Sequence, residues 1–480
     1  MKTPFLLLQQ KLGCSFLFLL LTSQMAFSQQ LPTGSWAGDL NVRGAAPIKV
    51  IFNFPAAAKG QSLVSIPYTG MHDLQVERVK EVGDSLQLAF RDHLSSYTFT
   101  ALYGAGNKGV AGLFVIGDNR KFPLTISLTN AESLRPSRPQ TPTAPFPYAV
   151  LPITFAGGDA GVMLSGTITA PKGKKEVPGV ILLSGSGPHN RDGEQFYHKT
   201  FLVLADELTK RGFAVLRYDE RGVGESSGKY AGNFTEDFAP DGLAAVKALQ
   251  TDKRLKVKNV YVIGHSEGTL MAQIIAAEAP DVAGVVLLAA AGLPGVAFNK
   301  SRHRALLKAN GISEEQGGQD LMIQDRSYEI VGASPDSATA VANLRKFHEE
   351  IDMDPNYSER YITPFVDPWL FHSLHFDPTP YQQKIKVPVL AITGETDSQT
   401  PAQDNMPAIK AGLQAAGNAN FTPVVLPKLN HFMQTSVTGA YDESYTLEET
   451  FSPEVLKMVG DWLVKQATGA GKARRTAKGI

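Results

Sequence analysis

The chain has 480 residues, 43% of them apolar, and its 46 basic side chains are matched by 46 acidic ones for a formal net charge of zero. That length points to two or three folded units and a sizeable core rather than to one small domain or a disordered chain. The charge balance argues against nucleic acid or an anionic membrane surface as the main partner, since both require a basic excess.

In chain order, residues 1–28 read as a secretory signal peptide. Lys2 and Lys11 precede the apolar run SFLFLLL, which is too short to span a bilayer, and Ala26-Phe27-Ser28 offers small residues for cleavage. Cys14, the only cysteine, falls inside this segment. A mature chain cut at this point has no disulfide, no thiol nucleophile and no membrane span. A periplasmic or extracellular location is expected.

Residues 31–135 carry short runs with strand character: GSWAGDLNV, PIKVIFNF, SLVSIPY, SLQLAF, SYTFTALY and KFPLTISL. They predict a small all-β barrel or sandwich. Residues 136–148, PSRPQTPTAPFPY, hold five prolines in thirteen positions and predict an extended linker. From 149 to 468 the pattern changes. VLPITFA and VMLSGTIT read as a strand pair. Near-continuous apolar runs (PGVILLS, FAVLRYD, NVYVIGH, AGVVLLAA, VPVLAIT, FTPVVLP) then alternate with amphipathic helices. Strands apolar on both faces predict an α/β, doubly wound, mostly parallel sheet. Residues 295–384 interrupt this pattern with helical patches and an aromatic, proline-rich end, and predict a helical cap. The last segment, 469–480, is small and basic and is expected to be disordered.

VYVIGHSEGTL (260–270) is an apolar run that stops at Gly264-His265-Ser266-Glu267-Gly268 and then resumes. A G-x-S-x-G pattern recurs by chance in a glycine-rich chain. Between a strand and a helix, however, it reads as a sharp elbow that exposes the Ser266 hydroxyl at a helix N-terminus. A serine nucleophile needs a base, and the base needs an orienting acid. In this architecture both follow at later strand ends. VPVLAIT leads to Asp397, the candidate acid, with Glu395 and Asp404 as alternatives. FTPVVLP leads to His431, the candidate base. Two backbone N–H groups must receive the developing oxyanion. Glu267 supplies one, and the small-residue loop Ser184-Gly185-Ser186-Gly187 supplies the other, from Ser186 or alternatively Gly187.

Arg191, His265, Trp369 and Phe371 are candidate pocket residues, with Phe376 beside them at the aromatic end of the cap. Asp219-Glu220-Arg221-Gly222-Val223-Gly224 reads as a structural turn fixed by charge-assisted bonds. His372 and His375 could share a helix face, but no H-E-x-x-H motif accompanies them, so neither a metal nor another cofactor is expected.

Six motifs in one order, SGSGPHNRDGE, ADELTKRGFAVLRYDERGVGESSG, TEDFAPDGLAAVKAL, GHSEGTLMA, GETD and LNHF, resemble the exported bacterial α/β-hydrolases of the EstD-like carboxylesterase group. That group is related in fold to serine aminopeptidases and prolyl oligopeptidases. The likeness spans 149–466 and implies Ser266 as nucleophile, Asp397 as acid and His431 as base. The N-terminal segment is similar to a small β-domain often fused to such hydrolases. By this likeness an apolar residue is expected near Thr400, where the chain has Ser398-Gln399-Thr400-Pro401. The implied activity is hydrolysis of short- to medium-chain carboxylic esters, with a small-molecule ester as partner. A peptidase on the same fold is the alternative, with Glu349-Glu350 as a possible anchor for a peptide amine. A glycan- or protein-binding module without catalysis is the other.

Overall fold

Alternation builds the first domain. Ser96–Leu102 buries Tyr97, Phe99 and Ala101 and exposes the residues between them, the period-two signature of a sheet with one wet face. The computed structural model describes residues 33–476 apart from 42–46, 56–60, 67–70, 83–84, 92–95, 103–108, 118–119, 131–135, 175, 280 and 442. The expected signal segment lies outside the described residues. Nine strands follow one another: β1 (Gly34–Leu40), β2 (Ile48–Phe54), β3 (Leu63–Ile66), β4 (Met71–Gln75), β5 (Arg78–Val82), β6 (Ser85–Arg91), β7 (Ser96–Leu102), β8 (Gly109–Ile116) and β9 (Arg120–Thr129). They form one antiparallel sheet in the order β4-β3-β2-β1-β9-β8-β7-β6-β5. Phe52 on β2 lies 5.4 Å from Phe99 on β7, although β1, β9 and β8 separate them in the sheet. The sheet therefore curls into a half-barrel around one core that includes Trp36, Phe52, Phe90, Phe99 and Phe114. β4 and β5 lack apolar alternation in the sequence, and glycines break the pattern of β8. At Gly112 of β8 a Cβ would lie 2.5 Å from the Thr100 carbonyl oxygen, so the approach of β7 requires glycine there.

The proline-rich segment 136–148 contains neither helix nor strand. It is tied to the second domain: Arg138 donates to the carbonyls of Phe196, Tyr445 and Leu447. The second domain opens with the antiparallel pair β10 (Ala149–Ala156) and β11 (Met163–Ala170), then β12 (Glu176–Leu183) and a two-residue hairpin, β13 (Glu194–Gln195) and β14 (His198–Lys199). There follow α1 (Thr200–Lys210), β15 (Ala214–Tyr218), α2 (Thr235–Thr251), β16 (Lys256–His265), α3 (Glu267–Glu278) and β17 (Val282–Leu288). The sheet order is β10-β11-β15-β12-β16-β17-β18-β19, with β18 (Val389–Gly394) and β19 (Phe421–Leu426) after the cap and all neighbours from β15 onward parallel. Successive residues of one strand feed opposite cores. Ile181, Leu183, Val262 and Leu287 meet α2 and α3. Val180, Leu182, Ile263 and Leu288 meet α1 and the last helix. This is why these strands read as unbroken apolar runs.

The cap joins β17 to β18. It comprises α4 (Gly295–Ala309), α5 (Glu314–Ala333), α6 (Ser337–Glu350), α7 (Pro355–Ile362), a 3₁₀ turn (Thr363–Val366), α8 (Pro368–His375) and α9 (Thr379–Gln382). Ser313, Asp336, Asp354 and Asp367 cap four of these helices through their side chains. The cap has its own small core, with Tyr328, Val331, Leu344 and Phe365. Its two ends meet where the Gly295 N–H donates to the Phe376 carbonyl at 2.8 Å. α10 (Ala402–Ala415) connects β18 to β19, and α11 (Glu443–Thr446) and α12 (Pro453–Thr476) follow β19. α12 ends at Thr476, inside the segment expected to be a tail. No helix among the described residues is long and apolar enough to cross a membrane.

One buried ion pair locks the turn after β15. Arg221 donates to Asp241 from Nε at 2.7 Å and from Nη2 at 2.9 Å, and both side chains are buried. Arg221→Met is expected to cost about 3–5 kcal/mol, because it leaves the Asp241 charge buried without its partner. Denaturant unfolding checks this. The double variant Arg221→Met/Asp241→Leu should recover most of the loss, since no charge is then stranded.

Candidate active site

Ser266 stands at the turn between β16 and α3 with φ 54° and ψ −120°. A non-glycine residue there stores roughly 1–3 kcal/mol of backbone strain. The surroundings enforce it. The Ser266 N–H donates to the Leu288 carbonyl at 2.9 Å, and the Thr269 hydroxyl donates to the Ser266 carbonyl at 2.6 Å. The flanking glycines have steric reasons. A Cβ on Gly264 would lie 2.0 Å from the Gly268 carbonyl oxygen. A Cβ on Gly268 would lie 2.3 Å from the Leu183 oxygen and 2.5 Å from the Ser184 oxygen. The elbow is thus pressed against the end of β12, where the Ser184–Gly187 loop begins. A Cβ on Gly185 would touch the Ser266 Cβ at 3.1 Å.

This loop separates the two oxyanion candidates. The Gly187 N–H donates to the Tyr230 hydroxyl at 2.8 Å. The Ser186 N–H has no acceptor among the described residues. The Glu267 N–H is the first of α3 and so has no acceptor within the helix. The Glu267 carboxylate points elsewhere and accepts from the Thr235 hydroxyl at 2.7 Å.

Asp397 and His431 meet across the ends of β18 and β19. The His431 Nδ1 lies 3.0 and 3.1 Å from the two carboxylate oxygens. Asp397 is buried. Burial alone would raise its pKa, but His431 and the bonds from Thr400 outweigh it and hold the carboxyl below the usual range. The Thr400 hydroxyl donates at 2.6 Å, its N–H at 2.8 Å, and the Gln399 N–H at 2.9 Å. An ionised Asp397 requires the proton on Nδ1, which leaves the Nε2 lone pair of His431 available as a base. Of the alternative acids, Glu395 is exposed, and Asp404 accepts from Ser301 of the cap at 2.6 Å. Thr400 stands where an apolar residue was expected, and its hydroxyl is what the Asp397 turn uses.

His265 and Arg191 were expected to line the pocket, and the structure engages both in other contacts. His265 Nε2 donates to the His431 carbonyl at 2.8 Å, and the two rings lie 5.1 Å apart. Burial, and secondarily His431, push the His265 pKa down to about 3, so the ring is neutral. It braces the His431 turn through the backbone. Arg191 binds both Asp219 oxygens at 3.1 and 2.6 Å, Glu225 at 2.7 Å and the Ser165 hydroxyl at 3.0 Å. Its donors are thereby engaged within the fold. Phe371 packs on the cap core, and Phe376 belongs to the sheet core. Trp369 is half-buried on α8. His372 bonds Glu236 at 2.8 Å, while His375 bonds the carbonyls of Phe371 and Ser334. No cluster of metal-binding side chains occurs among the described residues.

An aromatic wall beside His431 escaped the sequence reading. Phe432 lies 5.4 Å from His431, 5.6 Å from Phe196 and 5.3 Å from Tyr441. Phe196 and Tyr197 form the tip of the β13–β14 hairpin with φ 53° and 62°. Such turns favour Asn and Gly, so Phe-Tyr gave no turn signal. Only the packing of Phe196 onto Phe432 and Tyr441 accounts for it.

Two substitutions test these contacts. A Cβ in Gly268→Ala must displace the backbone at Leu183 or Ser184, and a misplaced oxyanion loop is expected to lower kcat by about 100-fold while the fold persists. Thr400→Val removes a hydroxyl donor to a buried carboxylate, a loss of about 1.5–3 kcal/mol. The lowered Asp397 pKa stabilises the fold above the ordinary value of 3.8, and that contribution is lost as pH falls through the folded value. The valine variant is therefore expected to begin acid unfolding at a higher pH than the wild type, as followed by circular dichroism.

Residues 193–435 match the family described as Serine aminopeptidase, S33. The chain is 27% identical over 320 residues to Esterase EstD of Thermotoga maritima, covering 66% of this chain and 70% of that protein. It is 27% identical over 213 residues to the AB hydrolase superfamily protein YisY of Bacillus subtilis, covering 42% of this chain and 71% of that protein. A solved structure of the Pyrococcus furiosus esterase Pf2001 aligns at 19% identity with a TM-score of 0.42, covering 69% of this chain and 97% of that chain. The chain is a hydrolase of α/β-hydrolase fold, and it belongs to the Serine aminopeptidase, S33 family.

Proposed function

We propose that this protein is an exported serine carboxylesterase acting on short- to medium-chain esters through an acyl-enzyme. The observation that carries the reading is the buried Asp397 paired with His431, braced by His265 next to the strained Ser266. The esterase named in Thermotoga maritima supports the ester preference. The apolar run and cleavage-like residues of the first 28 positions support export.

In the proposed mechanism the Ser266 Oγ attacks the ester carbonyl carbon as His431 Nε2 takes its proton. The carbonyl oxygen becomes an oxyanion and accepts from the N–H groups of Glu267 and Ser186. Collapse breaks the bond to the alkoxy group, which leaves as the alcohol with the proton from His431. A water molecule then gives its proton to His431 and attacks the acyl carbon. The second collapse returns the proton to Ser266 Oγ and releases the acid. Asp397 stays ionised throughout and stabilises the imidazolium.

A peptidase reading is favoured by the family description. Its suggested amine anchor is weak, since Glu349 and Glu350 are both exposed at the end of α6. Hydrolysis of p-nitrophenyl esters from acetate to decanoate, set beside aminoacyl p-nitroanilides, separates the two. The ester reading expects turnover of the short esters and a loss of about 10⁴-fold or more in kcat for Ser266→Ala. Turnover of the anilides alone would replace it with the peptidase reading.

A further inference from the structure

Cap helix α4 presents three neighbouring cations, and they differ. Lys300 pairs with Glu329 at 2.5 Å, and Arg304 pairs with Asp325. Arg302 lies between them and has no carboxylate partner among the described residues. Its Nε donates to the Gln399 Oε1 at 2.9 Å, and its two Nη groups meet no acceptor there. An exposed cation can leave its partner to water, but Arg302 is only partly exposed.

Its surroundings are those of the site. The titratable groups that face it are Tyr328 of the cap core, Tyr441 of the aromatic wall and Asp397. Gln399, which holds its Nε, also donates its N–H to Asp397 at 2.9 Å. Asp397 does not supply the missing counter-charge. Its oxygens are engaged by His431, Thr400 and Gln399, and it forms no ion pair with Arg302. The guanidinium therefore sits where the cap, the acid turn and the aromatic wall meet, with Nε tethered and both Nη groups open. That arrangement suits the end-on, two-bond capture of a carboxylate. A half-desolvated cation without a partner is costly, and an anionic substrate would offset that cost.

We propose that Arg302 is a receptor for a substrate carboxylate, so that the preferred substrates are esters bearing a free carboxylate, such as monoesters of dicarboxylic acids. The proposal rests on the ester-hydrolase reading of the same site.

The test compares mono-p-nitrophenyl glutarate with p-nitrophenyl butyrate, using the full chain, Arg302→Gln, Arg302→Lys and Ser266→Ala. The wild type is expected to favour the glutarate ester in kcat/KM. Arg302→Gln is expected to cut the glutarate-to-butyrate ratio about 10–100-fold, the loss of a charge-assisted pair, and Arg302→Lys to restore part of it. Equal use of the two esters by the wild type would overturn the proposal. So would an Arg302→Gln variant that loses both activities in proportion, which would make Arg302 a positioning residue acting through Gln399. If neither ester shows turnover that depends on Ser266, the ester reading fails by itself. Calorimetric titration with glutarate then decides: binding lost in Arg302→Gln upholds the receptor, and no binding to the wild type rejects it.

Discussion

Backbone pressed on backbone at the carboxyl end of the second sheet is the constraint on which this site depends. Gly264 and Gly268 let the elbow fold onto itself and onto the end of β12. The same device recurs on the other side. A Cβ on Gly394 would lie 1.7 Å from the Leu429 carbonyl oxygen, and one on Gly439 would lie 1.9 Å from that of Thr396. The acid turn is therefore held between the His431 loop and the segment after it. Side chains here would separate three loops that must nearly touch. Glycine supplies the closeness, and the parallel ladders around it supply the rigidity.

Charge is distributed around that crevice with a consistent logic. Arg191 and Arg221 are buried or half-buried, and carboxylates satisfy both, Asp219 after β15 for Arg191 and Asp241 of α2 for Arg221. They tie down the loops that follow β12 and β15. Asp397 is buried and ionised, with backbone and hydroxyl donors in place of water. His265 is kept neutral, so its ring adds no charge beside His431. Among the described residues, the Arg302 guanidinium is a charge of this crevice that no carboxylate of the fold pairs with.

The cap is a helical unit with a core of its own, closed at its neck by the bond between Gly295 and Phe376. Its aromatics mostly serve that core or the sheet, as Phe371 and Phe376 do. The aromatic wall near His431 comes instead from the β13–β14 hairpin and from the segment after β19. The cap reaches the acid turn through α4, by Ser301 to Asp404 and Arg302 to Gln399. Two side-chain hydrogen bonds thus join the cap to the segment that carries Asp397 and Asp404.

The sequence by itself determined the architecture and the candidate reacting groups. Period-two alternation marked the half-barrel, unbroken apolar runs marked the doubly covered sheet, and Gly264-His265-Ser266-Glu267-Gly268 marked the elbow, because each is a local pattern with a local physical cause. Asp397 and His431 were legible from their places after strands. The tertiary structure alone decided the rest. Whether Arg191 meets Asp219 and whether His265 bonds the His431 carbonyl depend on partners 28 and 166 residues away, and whether Thr400 packs or donates depends on how the turn after β18 closes on Asp397. The Phe196-Tyr197 tip and Arg302, which pairs with no carboxylate among the described residues, belong to the same class. A strained turn is paid for by distant packing, and which carboxylate a cation meets is decided by the fold and not by its neighbours in sequence.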